Sequence, residues 1–518
     1  MSVDVLFGQA YFLRFDPKLW EAQQPYAPLG TLYAAAAVRQ RGYSVALFDA
    51  MLAESEAEWT TSLSLHRPRF AVLYEDSFNY LSKMCLLRMR EAAMVMIAAA
   101  RSRGVTVIVA GSDATDHPEQ YLDAGADLVV SGEGEITLGD VLDKLNRRTD
   151  QPLATIPGIC LRTPDGALLR TPARPLLRDL DTLAEPAWDL VDVDRYRRLW
   201  LARHGYFSMN IVTTRGCPYH CNWCAKPIYG QRYTTRTPRQ VAAEVARLRT
   251  AYHPDHLWIA DDIFGLKPGW IEQFALELTE RGSVVPFKCL MRADGVSEAA
   301  AHALRDAGCR TVWIGAESGS QRVLDAMEKG TRVDQIDTAV QRLHAAGIEV
   351  GFFLQFGYPG ETYDDIQLTL DMVRRCRPDD IGVSVSYPLP GTPFYERVKA
   401  DLGDKQNWID SNDLAMMYRA TYEPEFYRAL HALVHAEFRR QRALDLLTNA
   451  GRRSVLLSRR GARELVGGVL QALKRPGLKR RVETLARRPV DVAIGPRMPV
   501  LIPLLSQQAA AVPSEQPQ

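Results

Sequence analysis

The chain has 518 residues, of which 47% are hydrophobic and 24% charged, and its formal net charge is +1 at pH 7. This length exceeds one typical domain, and the near-neutral charge gives no electrostatic reason to expect a nucleic-acid partner. The first residues lack a basic segment followed by an apolar one, and no run is apolar enough to span a bilayer, so we expect a cytoplasmic protein.

The first 146 residues alternate short apolar runs with helical stretches, which is typical of an α/β fold with a doubly wound parallel sheet. Ligands of such sheets bind beyond the carboxyl ends of the strands. The predicted strands cover residues 3–7, 43–48, 70–74, 105–110 and 128–130, and the predicted helices cover residues 32–41 and 81–103.

The loops after these strands contain glycine and short polar residues, which allow close backbone approach to a ligand and offer hydrogen bonds. The pattern of three spaced glycines that marks dinucleotide sites is missing, which disfavours NAD. These loops are residues 74–79, 111–115 and 131–135, and they include Ser112, Asp113, Gly132, Glu133 and Glu135.

Residues 147–205 are rich in proline, which breaks regular elements, so we predict a connector. Its sequence Pro164-Asp165-Gly166 indicates a small hairpin. The aromatic stretch 188–200 is expected to pack between domains.

A second alternating region over residues 206–400 favours a partial barrel of six parallel strands, (β/α)6, of the TIM type. Helical stretches at 426–447 and 461–488 predict a C-terminal helical domain over residues 401–488, which is locally basic. Residues 489–518 are rich in proline and are expected to be disordered. The predicted barrel strands are 208–213, 256–259, 287–291, 311–314, 349–356 and 381–386.

Directly after the first barrel strand, Cys217, Cys221 and Cys224 are separated by three and then two residues. Thiolates favour iron-sulfur clusters or zinc, and a cluster with only three cysteine ligands keeps one iron open for a substrate. The alternative is a structural zinc site with His220 as fourth ligand, but such sites usually pair two short ligand clusters, and no second one follows. The other five cysteines are scattered and are expected to be reduced and buried.

This loop, with Trp223 before its last cysteine, resembles the signature of the radical S-adenosylmethionine (radical SAM) superfamily. The resemblance implies that Cys217, Cys221 and Cys224 ligate a 4Fe-4S cluster whose open iron binds the amino and carboxylate groups of SAM.

Loops after the following strands would complete the SAM site. Asp261 and Asp262 would receive the amino group, and Arg292 would meet a carboxylate or the polar neighbours of the sulfonium. Glu317 and Ser318 would hold the ribose, and Gly357, Pro359 and Gly360 would flank the adenine. Each also has a structural interpretation: the acidic pair as a helix cap, Glu317 as an ion-pair partner and Pro359-Gly360 as a turn. Tyr387 and Tyr395, near the end of the barrel, are substrate-facing candidates or packed aromatics.

The N-terminal domain resembles the cobalamin-binding domain found upstream of this loop in many radical SAM proteins. The match rests on Gly30, on Ser112 and Asp113, and on Gly132, Glu133 and Glu135. The element that supplies a histidine to cobalt in other cobalamin enzymes is absent, because His117 is followed by Pro-Glu-Gln. The sequence therefore does not identify the lower-face ligand of cobalt. Alternatively, the domain is a relic that binds no cofactor and only packs on the barrel.

The resemblance implies reductive cleavage of SAM to a 5'-deoxyadenosyl radical and, with cobalamin, methylation of an unactivated carbon of a small-molecule or lipid substrate. The alternatives are an oxidative cyclase of the anaerobic magnesium-protoporphyrin IX monomethyl ester type, with a tetrapyrrole substrate, and a noncatalytic cobalamin or iron-sulfur sensor. An enzyme would need an external electron donor such as flavodoxin or ferredoxin. The basic C-terminal helices could contact an anionic substrate, a lipid surface or a partner, although a solvated face is the simpler interpretation.

Overall fold

The computed structural model describes residues 2–84, 86–224, 228–402, 407–448 and 459–488. Cys85 and the expected disordered tail, residues 489–518, lie outside these ranges.

The N-terminal region is built on a seven-stranded sheet with the order β2-β1-β3-β4-β5-β6-β7. The first five strands are parallel, as the sequence predicts, and β6 and β7 are antiparallel. The last two strands are the predicted hairpin of the connector, which therefore extends the N-terminal sheet. The strands are β1 Val5–Gly8, β2 Val45–Leu47, β3 Phe70–Tyr74, β4 Thr106–Ala110, β5 Leu128–Val130, β6 Ile159–Arg162 and β7 Leu168–Arg170.

Helices cover both faces of this sheet and bury a separate apolar core on each. The helices are α1 Pro17–Ala22, α2 Leu29–Gln40, α3 Ala57–His66, α4 Tyr80–Met84, α5 Leu87–Arg101, α6 Ser112–Asp116, α7 Pro118–Asp123 and α8 Glu135–Leu145.

The prediction of a single helix at residues 81–103 is wrong, because α4 and α5 are separate helices. Leu86 between them has an extended ψ of 144°. The Leu87 amide donates to the Trp408 carbonyl at 2.7 Å. A contact distant in sequence thus replaces a helical hydrogen bond.

Helix α9, Val193–His204, follows the hairpin and packs between the two sheets. Its Trp200 is fully buried and donates its indole N–H to the Pro25 carbonyl at 2.8 Å. Trp188 and Trp200 belong to a continuous core that also contains residues of α2 and of the barrel strands, which confirms the expected packing between domains.

The second sheet has six parallel strands in the order β15-β14-β13-β12-β11-β8, and its edge strands do not pair, so it is a partial barrel as predicted. A short antiparallel pair, β9 and β10, lies beside it. The strands are β8 Ser208–Ile211, β9 Thr214–Arg215, β10 Thr234–Thr235, β11 His256–Ile259, β12 Phe287–Met291, β13 Cys309–Glu317, β14 Glu349–Phe356 and β15 Asp380–Val385. The helices are α10 Pro238–Tyr252, α11 Trp270–Glu280, α12 Glu298–Asp306, α13 Gln321–Ala326, α14 Val333–Ala345, α15 Tyr363–Cys376 and α16 Pro393–Val398.

Two long helices, α17 Pro424–Thr448 and α18 Arg459–Ala486, form the C-terminal helical region expected from the sequence. They pack closely: a Cβ on Gly468 of α18 would lie 2.2 Å from the Cβ of Ala443 on α17. In the described part of the chain, no helix is long and apolar enough to cross a membrane.

Candidate cofactor site between the two sheets

The three motif cysteines lie on one loop that starts at the carboxyl end of β8. Cys217 and Cys221 are 7% and 8% exposed, and Cys224 is partly buried. The Cys224 amide donates to the Cys221 carbonyl at 3.2 Å, so the last two cysteines share a turn. Among the described residues no three His, Cys, Asp or Glu side chains are grouped as a metal site. Cys160, Cys289, Cys309 and Cys376 are buried free thiols, as expected.

Asn222, which was not among the predicted site residues, fixes this loop to the barrel. Its side chain is fully buried and donates to the Ala326 carbonyl at 2.8 Å and to Glu328 Oε1 at 3.1 Å. Its Oδ1 accepts from the Tyr358 hydroxyl at 2.9 Å, and its carbonyl accepts from the Phe394 amide at 3.0 Å. The position between Cys221 and Cys224 is the only sequence signal for this role.

Asp261 follows β11 and supports the entrance of the cysteine loop. Its Oδ1 accepts from the amides of Thr213 at 2.7 Å and Thr214 at 3.1 Å, and its Oδ2 accepts from the Thr213 hydroxyl. Burial raises the pKa of Asp261 to about 7, although these hydrogen bonds act to lower it. Its carboxylate is thus engaged in positioning the loop.

Asp262 instead faces the N-terminal region. Its Oδ1 accepts from Lys83 Nζ of α4 at 2.5 Å, and the two side chains are 27% and 14% exposed. The ion pair joins the carboxyl edge of the barrel to the N-terminal domain.

Arg292 is engaged by protein groups on every side. Its guanidinium makes a bidentate pair with Asp294 at 2.9 and 2.8 Å and donates to Thr331 Oγ1 and to the Lys329 carbonyl, both at 2.9 Å. It lies 3.6 Å from the ring centroid of Tyr219, which is two residues after Cys217. Arg292 thus links Asp294 to Tyr219 of the cysteine loop, and its contact with SAM stays a prediction.

Glu317 ends β13 in a left-handed conformation, with φ of 57°, which is rare for a residue other than glycine. Its Oε1 accepts from the buried Lys329 ammonium at 2.8 Å, so the ion-pair interpretation applies. The Lys329 ammonium is also 5.8 Å from the ring centroid of Trp223. Ser318 is fully buried and shares a hydrogen bond of 3.1 Å with Thr369 Oγ1.

The segment after β14 is a tight turn. Gly357 has φ of 83°, and its amide donates to Glu361 Oε2 at 2.6 Å, whereas Pro359 and Gly360 are exposed at the tip. Glu361 is 1% exposed, and burial raises its pKa to about 8.

Tyr387, one of the two candidates for substrate contact, is buried and donates its hydroxyl to Asn407 Oδ1. Its ring centroid lies 4.5 Å from that of Trp408. Tyr395, the other candidate, lies in α16 and is partly buried.

Two candidate residues of the N-terminal domain, Glu133 and Glu135, bind Arg215 of the cysteine-loop segment. Arg215 donates to Glu135 Oε1 at 2.5 Å and to Glu133 Oε1, and all three side chains are at least nine-tenths buried. Its guanidinium lies 5.1 Å from the ring centroid of Tyr229, which stacks on Phe78 of the N-terminal domain at 5.5 Å. The carboxyl edges of the two sheets therefore face each other across the cysteine loop.

The remaining N-terminal candidates lie at the same edge. The Gly30 amide donates to Asp76 Oδ1 at 3.0 Å, and Ser112 donates to the Lys83 carbonyl at 2.8 Å. Gly132, with φ of 75°, has open space where a side chain would be.

Asp113 is held by protein groups. Burial acts to raise its pKa, but hydrogen bonds from Arg90 at 2.5 and 2.8 Å and from the Tyr121 hydroxyl at 2.6 Å outweigh burial and lower it. His117 Nε2 is 4.0 Å from Asp113 Oδ1.

Several buried polar atoms at this interface have no hydrogen-bond partner among the described residues. Such atoms are rare in folded proteins and indicate groups that a ligand or water satisfies. On the N-terminal side they are Tyr11 Oη, Glu75 Oε2 and Ser82 Oγ, and on the barrel side Trp223 Nε1 and Glu361 Oε1. Glu75, which lies in the predicted ligand-binding loop 74–79, accepts from the Ala10 amide at 2.8 Å, and burial raises its pKa to about 8.

Comparison with known proteins agrees with this architecture. The family model described as the Radical SAM superfamily matches residues 211–373. An uncharacterised methyltransferase of Pyrococcus horikoshii is 28% identical over 299 residues, which cover 57% of this chain and 63% of the relative. The anaerobic magnesium-protoporphyrin IX monomethyl ester cyclase of Rubrivivax gelatinosus is 27% identical over 292 residues, covering 55% of this chain and 50% of the cyclase. The chain thus spans less than two thirds of either relative.

Among solved structures, the radical S-adenosylmethionine methyltransferase TsrM from Kitasatospora setae, with cobalamin and a [4Fe-4S] cluster bound, has a TM-score of 0.63 at 21% identity. The match covers 77% of this chain and 78% of TsrM, and it shows a shared fold. The family match identifies residues 211–373, which contain the cysteine loop, as a radical SAM domain.

Proposed function

We propose that this protein is a cobalamin-dependent radical SAM enzyme that methylates an unactivated carbon of a small-molecule or lipid substrate. The main support for the proposal is that the carboxyl edges of the two sheets meet at the cysteine loop, where Glu133 and Glu135 bind Arg215. The burial of the cysteine loop between two sheet edges suits radical chemistry, which must exclude water and oxygen.

The donor set of the loop fits an iron-sulfur cluster. Cys217, Cys221 and Cys224 provide three soft thiolates, and only the exposed His220 offers a nitrogen ligand within the loop. With a cluster held there, the bound SAM would be cleaved reductively, and a bound cobalamin would supply the methyl group.

The N-terminal edge fits a large polar ligand such as cobalamin. Three buried polar atoms there, on Tyr11, Glu75 and Ser82, have no partner among the described residues, and Gly132 leaves open space in its loop. We propose that Gly30, Ser112 and Gly132 line this site, and that Glu133 and Glu135 act on it through Arg215.

On the barrel side, the chain's own groups hold the cysteine loop and contact SAM. We propose that Asp261 and Arg292 position the loop, because their hydrogen-bonding groups are occupied by Thr213, Thr214 and Asp294. Trp223 Nε1, Glu361 and the turn at Gly357 are proposed to contact SAM, because two of them carry buried atoms without a partner in the described structure.

The test is anaerobic reconstitution with iron and sulfide, followed by dithionite, SAM and methylcobalamin. We expect 5'-deoxyadenosine from the wild type and none from Cys221→Ala, because the loss of one thiolate leaves two ligands. With substrate, S-adenosylhomocysteine should accumulate together with 5'-deoxyadenosine. Retained cleavage in Cys221→Ala would refute the ligand assignment, and zinc in anaerobically purified protein would refute the proposal.

A second candidate function is oxidative cyclisation of a tetrapyrrole, which is favoured by the match to the Rubrivivax gelatinosus enzyme. Cyclisation would yield 5'-deoxyadenosine without S-adenosylhomocysteine. A noncatalytic sensor would yield neither product. In either enzyme the electron is proposed to come from a flavodoxin or ferredoxin, which the same assay tests by replacing dithionite.

A further inference from the structure

Helix α18 has an apolar stripe on one face, formed by Val466, Val469, Leu470 and Leu473. These side chains are 61%, 58%, 52% and 75% exposed, respectively. Their spacing of three, four and seven residues places them side by side on one face of the helix. Four large apolar groups exposed together are costly in water and mark an interaction surface.

The opposite face of α18 is the one that packs on the protein. Gly468 contacts Ala443 of α17, Arg475 pairs with Glu437 at 3.0 Å, and Val482 is fully buried. These three positions are separated by seven residues each, so they share a face that lies about 180° from the stripe. Packing of the helical pair therefore does not explain the apolar stripe.

Positive charge surrounds the stripe. Residues 459–488 contain ten lysine and arginine residues but only two acidic ones, Glu464 and Glu483. Lys474 directly follows the stripe and is exposed, as are Arg480, Arg487 and Arg488 beyond it. An exposed apolar stripe beside basic residues is the pattern of helices that lie in a lipid interface.

We propose that this face of α18 docks the protein on a bilayer surface that carries anionic lipids. The helix would lie in the plane of the interface, with the stripe among the acyl chains and the basic side chains at the phosphates. A second copy of the chain is a poorer occupant, because it would bring the same positive charges together, whereas anionic headgroups neutralise them. No helix among the described residues spans a membrane, so the contact is peripheral.

A second pair of exposed leucines lies at the same end of the helical hairpin. Leu444 and Leu447 of α17 are 44% and 59% exposed, and the neighbouring Ala443 faces Gly468. The proposal goes beyond the enzymatic function and does not depend on it.

The test is flotation of the full-length protein with vesicles of phosphatidylcholine alone or with about one third phosphatidylglycerol. We expect binding to the anionic vesicles that weakens with added salt, and little binding to neutral ones. The variant Leu470→Asp/Leu473→Asp should reduce the partition coefficient by about tenfold or more, because it places carboxylates on the stripe. The matched control is Leu65→Asp/Leu276→Asp, which makes the same charge change at leucines that are 64% and 55% exposed on other helices and should bind like wild type.

Three results would overturn the proposal. Wild type could fail to bind anionic vesicles, the stripe variant could bind as well as its control, or light scattering could show a dimer that the stripe variant alone abolishes while vesicles are not bound. Circular dichroism of both variants checks folding, and because all four positions are exposed, neither variant should unfold.

Discussion

At the scale of single residues, Asn222 shows how the barrel holds the cysteine loop. We predict that Asn222→Ala lowers the free energy of unfolding by about 1–3 kcal/mol, because the change leaves buried partners unsatisfied. The same variant should lose iron after reconstitution, since Cys221 and Cys224 flank this anchor. Thermal denaturation and iron content are the measurements.

His220→Ala, in the same loop, is the control for Asn222. His220 is exposed, so the substitution should leave both the stability and the iron content near the wild-type values. If His220→Ala instead lost the metal while Asn222→Ala kept it, the histidine would be a ligand and the zinc alternative would return.

Glu75 provides a prediction on pH, because burial raises its pKa from 4.5 to about 8. Between these pH values the folded protein holds a proton that the unfolded chain has lost. The free energy of unfolding therefore falls as the pH rises through this window, by at most about 1.4 kcal/mol per pH unit, and the contribution levels off above pH 8. Glu75→Gln keeps an acceptor for the Ala10 amide and has no proton to lose. Its free energy of unfolding should therefore fall less than that of the wild type as the pH rises.

The measurement for Glu75 is urea unfolding of the wild type and of Glu75→Gln at several pH values from 5 to 8.5. Glu91→Gln serves as control, because that side chain is 55% exposed on α5. Equal pH dependence in the wild type and Glu75→Gln would mean that the buried carboxyl is already ionised in the folded state.

At the scale of secondary-structure elements, most strands could be predicted from the sequence, whereas one break between helices could not. The runs at 70–74, 128–130, 256–259, 287–291 and 349–356 match observed strands residue for residue, because short apolar runs carry their own β signal. The break between α4 and α5 depends on Trp408, which lies hundreds of residues away, so no local pattern could reveal it.

The same limit applies to the candidate site. A polar residue directly after a strand lies at the carboxyl edge of the sheet, as Asp261 and Arg292 do. Whether its side chain faces a ligand or a neighbour depends on partners from other elements, such as Thr213 and Asp294. Glu133 and Glu135 are at the expected edge, but they face Arg215 of another domain.

Arg215 joins the β5–α8 loop to β9, and we predict that Arg215→Met destabilises the protein by about 3–5 kcal/mol, because two buried carboxylates lose their countercharge. The triple variant Arg215→Met/Glu133→Gln/Glu135→Gln should recover part of this loss, since it removes the unpaired charges. Urea unfolding measures both effects. A triple variant no more stable than Arg215→Met would show that the arginine acts through its aromatic contacts.

At the scale of the whole molecule, one continuous apolar core links the N-terminal domain to the barrel, with Trp200 between them. The Trp200 ring contacts Tyr26 and Tyr206, with centroids 5.3 and 5.4 Å away, on either side of the boundary. Because the two domains share this core, we expect the wild type to unfold in a single calorimetric transition although the chain is long.

Trp200→Ala should lower the free energy of unfolding by about 3–5 kcal/mol, because it removes packing from the core that the N-terminal domain and the barrel share. The two parts should then unfold in two separate transitions. Trp59→Ala is the matched control: Trp59 is also fully buried, but it belongs to a core on one face of the N-terminal sheet. This control should lower the melting temperature while the domains still unfold together. Differential scanning calorimetry distinguishes the cases, and a single transition in Trp200→Ala would mean that the ion pairs at the cysteine loop, such as Lys83 with Asp262, suffice to couple the domains.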